Sequence, residues 1–192
     1  MNDLPLNSSK ATQHHLLRVL KQVFAEPKRY SRPWYFAYLL LGIVTGGMIP
    51  VLLPLMMMAA SHNLSTVAYV MGVYDLGLLT SPLWGVWSER RKLYRTLFLT
   101  GFLLALISVA LLPFLHSMAG WMPLAFVLGA GSSGAATISS LLIVDFEPSN
   151  EWEPRIGLLQ SFNGAGQVIG LLLAGIFSKG SLSGSLWLAA IL

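Results

Sequence analysis

Asp75 is the residue with the clearest chemical potential, because it is an acid set about a third to halfway along the apolar run from Val67 to Trp87. An ionised carboxylate in hydrocarbon costs several kcal/mol, so such a group is held neutral or finds a cation. None of the long apolar runs contains Lys or Arg, so the cation would have to come from a substrate, from water or from a second part of the protein. Asp75 is therefore either a carrier of protons or substrate charge, or a neutral, hydrogen-bonded tie between helices. Further along, Gln160, Asn163 and Gln167 fall within about 60 degrees of one another on a helix. Gly157, Gly164 and Ala174 extend that face, and Leu158, Phe162, Ile169, Leu172 and Ile176 form the opposite one. A helix that is polar on one side and apolar on the other borders protein or water with its polar side. These three amides then line a cavity, or bond neighbouring helices at about 0.6 kcal/mol each.

A third candidate is Ser133, in Gly131-Ser132-Ser133-Gly134. This short sequence resembles the one around the nucleophile of rhomboid intramembrane proteases. A serine nucleophile needs a base to take its proton. The only histidines are His14, His15, His62 and His116, all outside the apolar runs, which leaves proteolysis without its second residue. Cysteine is absent, so disulfides, thiolate metal sites and cysteine nucleophiles are excluded. No cofactor or metal is implied.

The elements that must position these residues are membrane helices. The chain is 55% hydrophobic and 10% charged, with a mean hydropathy of +0.66, too apolar for a globule with a solvated surface. Its apolar residues come in runs of about 20, the length that crosses a hydrocarbon core as a helix. Five such spans are expected, at Trp34 to Ala60, Val67 to Trp87, Thr96 to Leu115, Pro123 to Val144 and Ile156 to Phe177. A sixth begins near Ser185 and is cut short at Leu192. The fold class expected is an all-α membrane protein, with residues 34–192 as the transmembrane domain. Residues 1–33 form a basic tail, in which Leu16, Leu17, Leu20, Val23 and Phe24 recur at helical spacing. That pattern suits an amphipathic helix on the bilayer surface or a solvated tail.

Lys10, Arg18, Lys21, Lys28, Arg29 and Arg32 precede span one, Arg90, Arg91, Lys92 and Arg95 join spans two and three, and Arg155 precedes span five. Only Lys179 falls on the other side. The positive-inside rule therefore places the amino terminus in the cytoplasm. The sequence pI near 9.6 has the same origin and does not point to nucleic acid.

The loop between spans two and three reads Gly85-Val86-Trp87-Ser88-Glu89-Arg90-Arg91-Lys92-Leu93-Tyr94-Arg95, after Ser81-Pro82-Leu83-Trp84. It resembles the signature loop of the major facilitator superfamily: a glycine, an acid four residues on, then basic residues leading into span three. Glu89 stands where the family usually has Asp, and Lys92 occupies the family's second glycine. The resemblance runs from Trp34 onward and implies an inverted three-plus-three helical repeat, a secondary transporter of small solutes, and a carboxyl-terminal half to complete it. It also implies that Gly85, Glu89, Arg90 and Arg95 gate a conformational change on the cytoplasmic side. Protons are the candidate coupling ion, and the bilayer is the obligatory partner. An acid can cap a neighbouring helix, while Arg binds carboxylates or lipid phosphates. Across from this loop lie Asp145, Glu147, Glu151 and Glu153, which invites pairing worth about 1 kcal/mol or less per exposed contact. Span four lacks the Arg, and span five the Pro after glycine, that mark the family's antiporters. Within the repeat, Gly85-Val86-Trp87-Ser88 aligns with Gly175-Ile176-Phe177-Ser178.

With the amino terminus inside, a cysteine introduced at Ser61 is expected to react with an impermeant maleimide added to intact cells, and one at Ser88 is not. The reverse pattern would invert the topology.

Overall fold

The structure is a computed structural model that describes residues 33–115 and 117–177. The tail segment near residues 16–24 and the expected sixth span lie outside the described residues. Every described element is a helix, since a helix satisfies its backbone donors and acceptors within the segment and lipid offers no substitute. Five helical stretches are long and apolar enough to cross a membrane: Tyr35–Ser61, Leu64–Arg91, Tyr94–Phe114, Met118–Phe146 and Ser149–Ile176. These are spans one to five, in the number and order the sequence implies.

Prolines account for most of the differences in outline. Span four was expected to start at Pro123 but starts at Met118, with Pro123 inside the helix. The ring there removes a single hydrogen bond near the helix start and does not end it. Span five starts at Trp152, because Pro154 falls in the first turn, where amides have no helical acceptor to lose. Span two is not one helix. It consists of Leu64–Leu78 and Ser81–Arg91, interrupted where Pro82 has no N–H to give the Leu78 carbonyl.

Span one has three parts, α-helical at Pro33–Leu41 and Ile49–Ser61 with a wider π-helical stretch, Gly42–Met48, between them. There the Ile49 amide reaches back five residues to the Val44 carbonyl. Pro50, which has no N–H to offer the Gly46 carbonyl, follows at once.

Glycines set the packing. A Cβ added to Gly47 in span one would sit 2.6 Å from the Gly170 Cα in span five. One added to Gly129 in span four would strike the Tyr74 carbonyl and lie 3.1 Å from the Gly77 Cα in span two. The two contacts are equivalent once span one is exchanged for four and span two for five. Gly47 also meets the Gln167 carbonyl as Gly129 meets that of Tyr74. The inverted repeat is therefore present in the packing. It pairs Gly77 with Gly170, a register that does not bring Gly85 onto Gly175, so the alignment read from the sequence is corrected. Gly77 faces Phe126, three residues before Gly129, whereas Gly170 faces Ile43, four residues before Gly47. The π stretch absorbs the extra residue.

Span three joins through Gly101, whose added Cβ would lie 2.8 Å from the Gly131 carbonyl. Around these crossings, Ile49, Leu52, Leu53, Met57 and Leu128 are fully buried. Close approach by small residues replaces the hydrophobic driving force that lipid removes.

Gly170→Leu and Gly77→Leu are each expected to destabilise the bundle by about 1–3 kcal/mol, a typical cost of overpacking. Gly164→Leu is the control, since a Cβ there meets nothing within 4 Å. Thermal unfolding in detergent should show lower midpoints for the first two alone.

Candidate functional site

Span two carries Asp75 on a face that the rest of the chain leaves open. Ala68, Gly72, Asp75 and Leu79 are all exposed, and nothing lies within 4 Å of a Cβ built on Gly72. The adjacent Tyr74 and Gly77 are buried against the bundle. Among the described residues the Asp75 side chain makes no hydrogen bond or ion pair, and its carbonyl accepts the Leu79 amide at 3.1 Å.

Span five places Gln160, Asn163 and Gln167 in a row along one edge of its seam with span one. Gln160 lies beside the Tyr38 hydroxyl. Gly42 backs onto the Asn163 carbonyl, and Gly46 onto the Gln167 side chain. The Gln167 amide donates to Asn163 Oδ1 at 2.8 Å, within the same helix. Of the three amides, only Gln160 reaches a side chain of another span, while Gln160 and Gln167 are exposed.

Beyond the row, span five is exposed at Ser161, Ala165, Val168 and Leu172. The exchange that pairs Gly77 with Gly170 makes these the counterparts of Ala68, Gly72, Asp75 and Leu79, so the two open faces are related by symmetry, with Val168 in the place of Asp75 and Gln167 in that of the buried Tyr74. The structure does not bring Asp75 into contact with the three amides.

Ser133 has a structural assignment. Its hydroxyl donates to the Ala130 carbonyl at 3.0 Å and lies 3.3 Å from Thr80 Oγ1. Ser81 and Thr137 meet at 2.7 Å one turn away. These hydroxyls stitch span four to span two at its interruption, where Thr80 Oγ1 also donates to the Gly77 carbonyl at 2.8 Å. No histidine is among the partners of Ser133 in the described residues.

At the end of span two, Gly85 faces open space apart from Thr137 Cγ2, which would lie 3.9 Å from an added Cβ. Glu89 and Asp145 both lie within electrostatic reach of the Tyr94 hydroxyl, and the Tyr94 ring meets Phe146 edge-on at 6.3 Å. Lys92 ends the helix in the left-handed conformation, φ 50 and ψ 29. This explains why glycine suits that position in the resembled loop, since a side chain costs about 1 kcal/mol there.

The expected pairing of the basic and acidic loops is not found among the described residues. Arg90, Arg91, Lys92 and Arg95 are exposed, and acids of the four–five loop pair with Arg155 instead. Arg155 Nη2 lies 2.7 Å from Glu151 Oε2 and 3.1 Å from Glu147 Oε2. The Tyr35 hydroxyl of span one is also in hydrogen-bonding reach of Arg155. Arg155 is only 4% exposed, so this cluster ties the four–five loop to the starts of spans one and five. Arg155 was read from the sequence only as a topology marker. Its i, i+4 spacing from Glu151 was the available signal.

A cavity of about 340 Å³ between spans one and three is lined by apolar residues such as Leu41, Val44, Phe98 and Phe102. Its single polar side chain, Thr45, gives its hydroxyl to the Leu41 carbonyl at 2.7 Å. None of the candidate site residues lines it.

The family model described as the Major Facilitator Superfamily matches residues 8–192. No curated protein sequence matches the chain. Five apolar spans, an inverted repeat written in glycine contacts and a match over nearly the whole chain lead to one conclusion: this multi-pass membrane protein belongs to the major facilitator superfamily.

Proposed function

We propose that the chain forms the amino-terminal half of a secondary transporter that moves a small solute by alternating access. The observation that carries this reading is the pair of symmetry-related open faces on spans two and five. Asp75 lies on the open face of span two, and Gln160, Asn163 and Gln167 border the open face of span five along its seam with span one, a placement suited to a substrate path between two rocking halves. Asp75 handles a proton or the charge of the solute, and the three amides supply hydrogen bonds to it. Gly85, Glu89, Arg90, Arg95 and Asp145 form the cytoplasmic gate, in which the two arginines engage carboxylates of the opposing half in one conformation and release them in the other. The amino terminus lies in the cytoplasm and the bundle in the cell's inner membrane. Residues 1–33 stand apart from the membrane domain as a basic tail.

Asp75→Asn keeps the side chain's shape and removes its titratable proton. In the protein with both halves, this substitution is expected to leave folding intact and abolish coupled transport. Uptake or efflux that kept its pH dependence would make Asp75 architectural. The 192-residue chain expressed alone is expected to self-associate in detergent through its open faces and to transport nothing. A monomer that moved a solute in proteoliposomes would show that the half is a complete unit.

A further inference from the structure

The flank of span two turned away from span one carries an open cleft of about 330 Å³ formed by Thr80, Leu83, Trp84, Trp87 and Ala130. Its orientation follows from the neighbours of span two. Met71 and Leu78 pack on the cluster that includes Ile49, Leu52 and Met57 of span one, whereas Trp84 packs against Tyr94, Leu97, Phe98 and Ile138. The cleft therefore opens on the side away from span one, and Asp75 is not among its lining residues.

Its walls are apolar and exposed. Leu83 is 70% exposed and Trp87 52%, and the rings of Trp84 and Trp87 stand 6.1 Å apart. Gly134 lies beneath Trp84, where an added Cβ would be 2.7 Å from the indole, so the inner wall is fixed. The interruption at Leu79 and Thr80 forms the deep end. The Thr80 hydroxyl is already engaged with the Gly77 carbonyl and Ser133, so a ligand there meets little unsatisfied polarity.

At the mouth the chemistry changes. Arg91 follows Trp87 by one helical turn on the same flank, and Lys92 follows it at the helix end. Both are exposed, and neither makes an ion pair among the described residues. Glu89, the nearest acid in sequence, falls on the opposite flank with Gly85, near Tyr94 and Asp145. The cleft therefore has an apolar trough, an indole rim and two free cations at one end. The complement of that shape and charge is an acyl chain, a glycerol backbone and a phosphate in that order.

We propose that this cleft is a binding site for one anionic membrane phospholipid, with an acyl chain against Leu83, Trp84, Trp87 and Ala130 and the phosphate at Arg91 and Lys92. Arg91 offers its planar fork of donors to the phosphate oxygens. Lys92 is held by its left-handed backbone beside the same headgroup. A lipid seated there braces the second half of span two against span four without touching the open face of Asp75.

The test is a lipid titration of the purified 192-residue chain in detergent, read by native mass spectrometry. Helical content is checked by circular dichroism for each variant. The probes are phosphatidylglycerol, phosphatidylcholine and inorganic phosphate. Phosphatidylglycerol is expected to bind about tenfold more tightly than phosphatidylcholine. Arg91→Gln combined with Lys92→Gln should erase that preference while leaving the weak phosphatidylcholine binding unchanged. Trp87→Ala, which keeps both cations, should weaken both lipids together. Equal binding of the two lipids, an undiminished preference in the double variant, or competition by millimolar inorganic phosphate would each overturn the proposal. The last of these would mark a free-anion site. Because the readout is bound lipid, it stands apart from the transport assays on Asp75.

Discussion

Everything in this bundle depends on backbones approaching closely where no hydrophobic effect pulls helices together. In lipid an apolar side chain gains little by turning from a hydrocarbon tail to a neighbouring helix. Packing must instead come from surface fit, and Gly47 against Gly170 and Gly129 against Gly77 provide the tightest fit available. The two crossings fix which helices are neighbours. They also leave one side of spans two and five uncovered, with Asp75 on that side of span two.

Span number and order were legible in the sequence because they follow from length and hydropathy alone, as did the three amides of span five on one edge. The interruption in span two was less so. Pro82 sits beside Ser81 and Thr80, and a proline within a membrane helix ends it, bends it or begins a new segment according to which neighbours can take the freed carbonyls. Here the Thr80 hydroxyl donates to the Gly77 carbonyl beside the break and lies 3.3 Å from the Ser133 hydroxyl, and Ser133 is 53 residues away from Thr80 in the chain. No local pattern carries such a contact. The π stretch of span one is a similar case. Its glycines and Pro50 permit it, but the need for an extra residue arises only where span one crosses span five.

Charge was legible as topology and not as structure. The rule that counts Lys and Arg beside span ends treats Arg155 and Arg91 alike, yet one is buried with two carboxylates and the other stands free. A buried arginine left without its acids would be strongly destabilising, so Glu147 and Glu151 have a fixed task beside span five. The acids are thereby drawn away from the basic loop between spans two and three. The cations of that loop are exposed and make no ion pair among the described residues.

The interruption at Leu79 and Thr80 also gives span two the mechanics of a jointed rod. Its second segment, Ser81–Arg91, has 11 residues, or about 16 Å of helix at 1.5 Å per residue. A tilt of about 10 degrees at the joint displaces its far end by roughly 3 Å, about two residues of helical rise. Side-chain hydroxyls rather than a continuous ladder of amides hold the joint. The first segment is anchored to span four by Gly77 against Gly129, and the second by Trp84 over Gly134 and by Ser81 at Thr137, so each rod has its own attachment on either side of the joint.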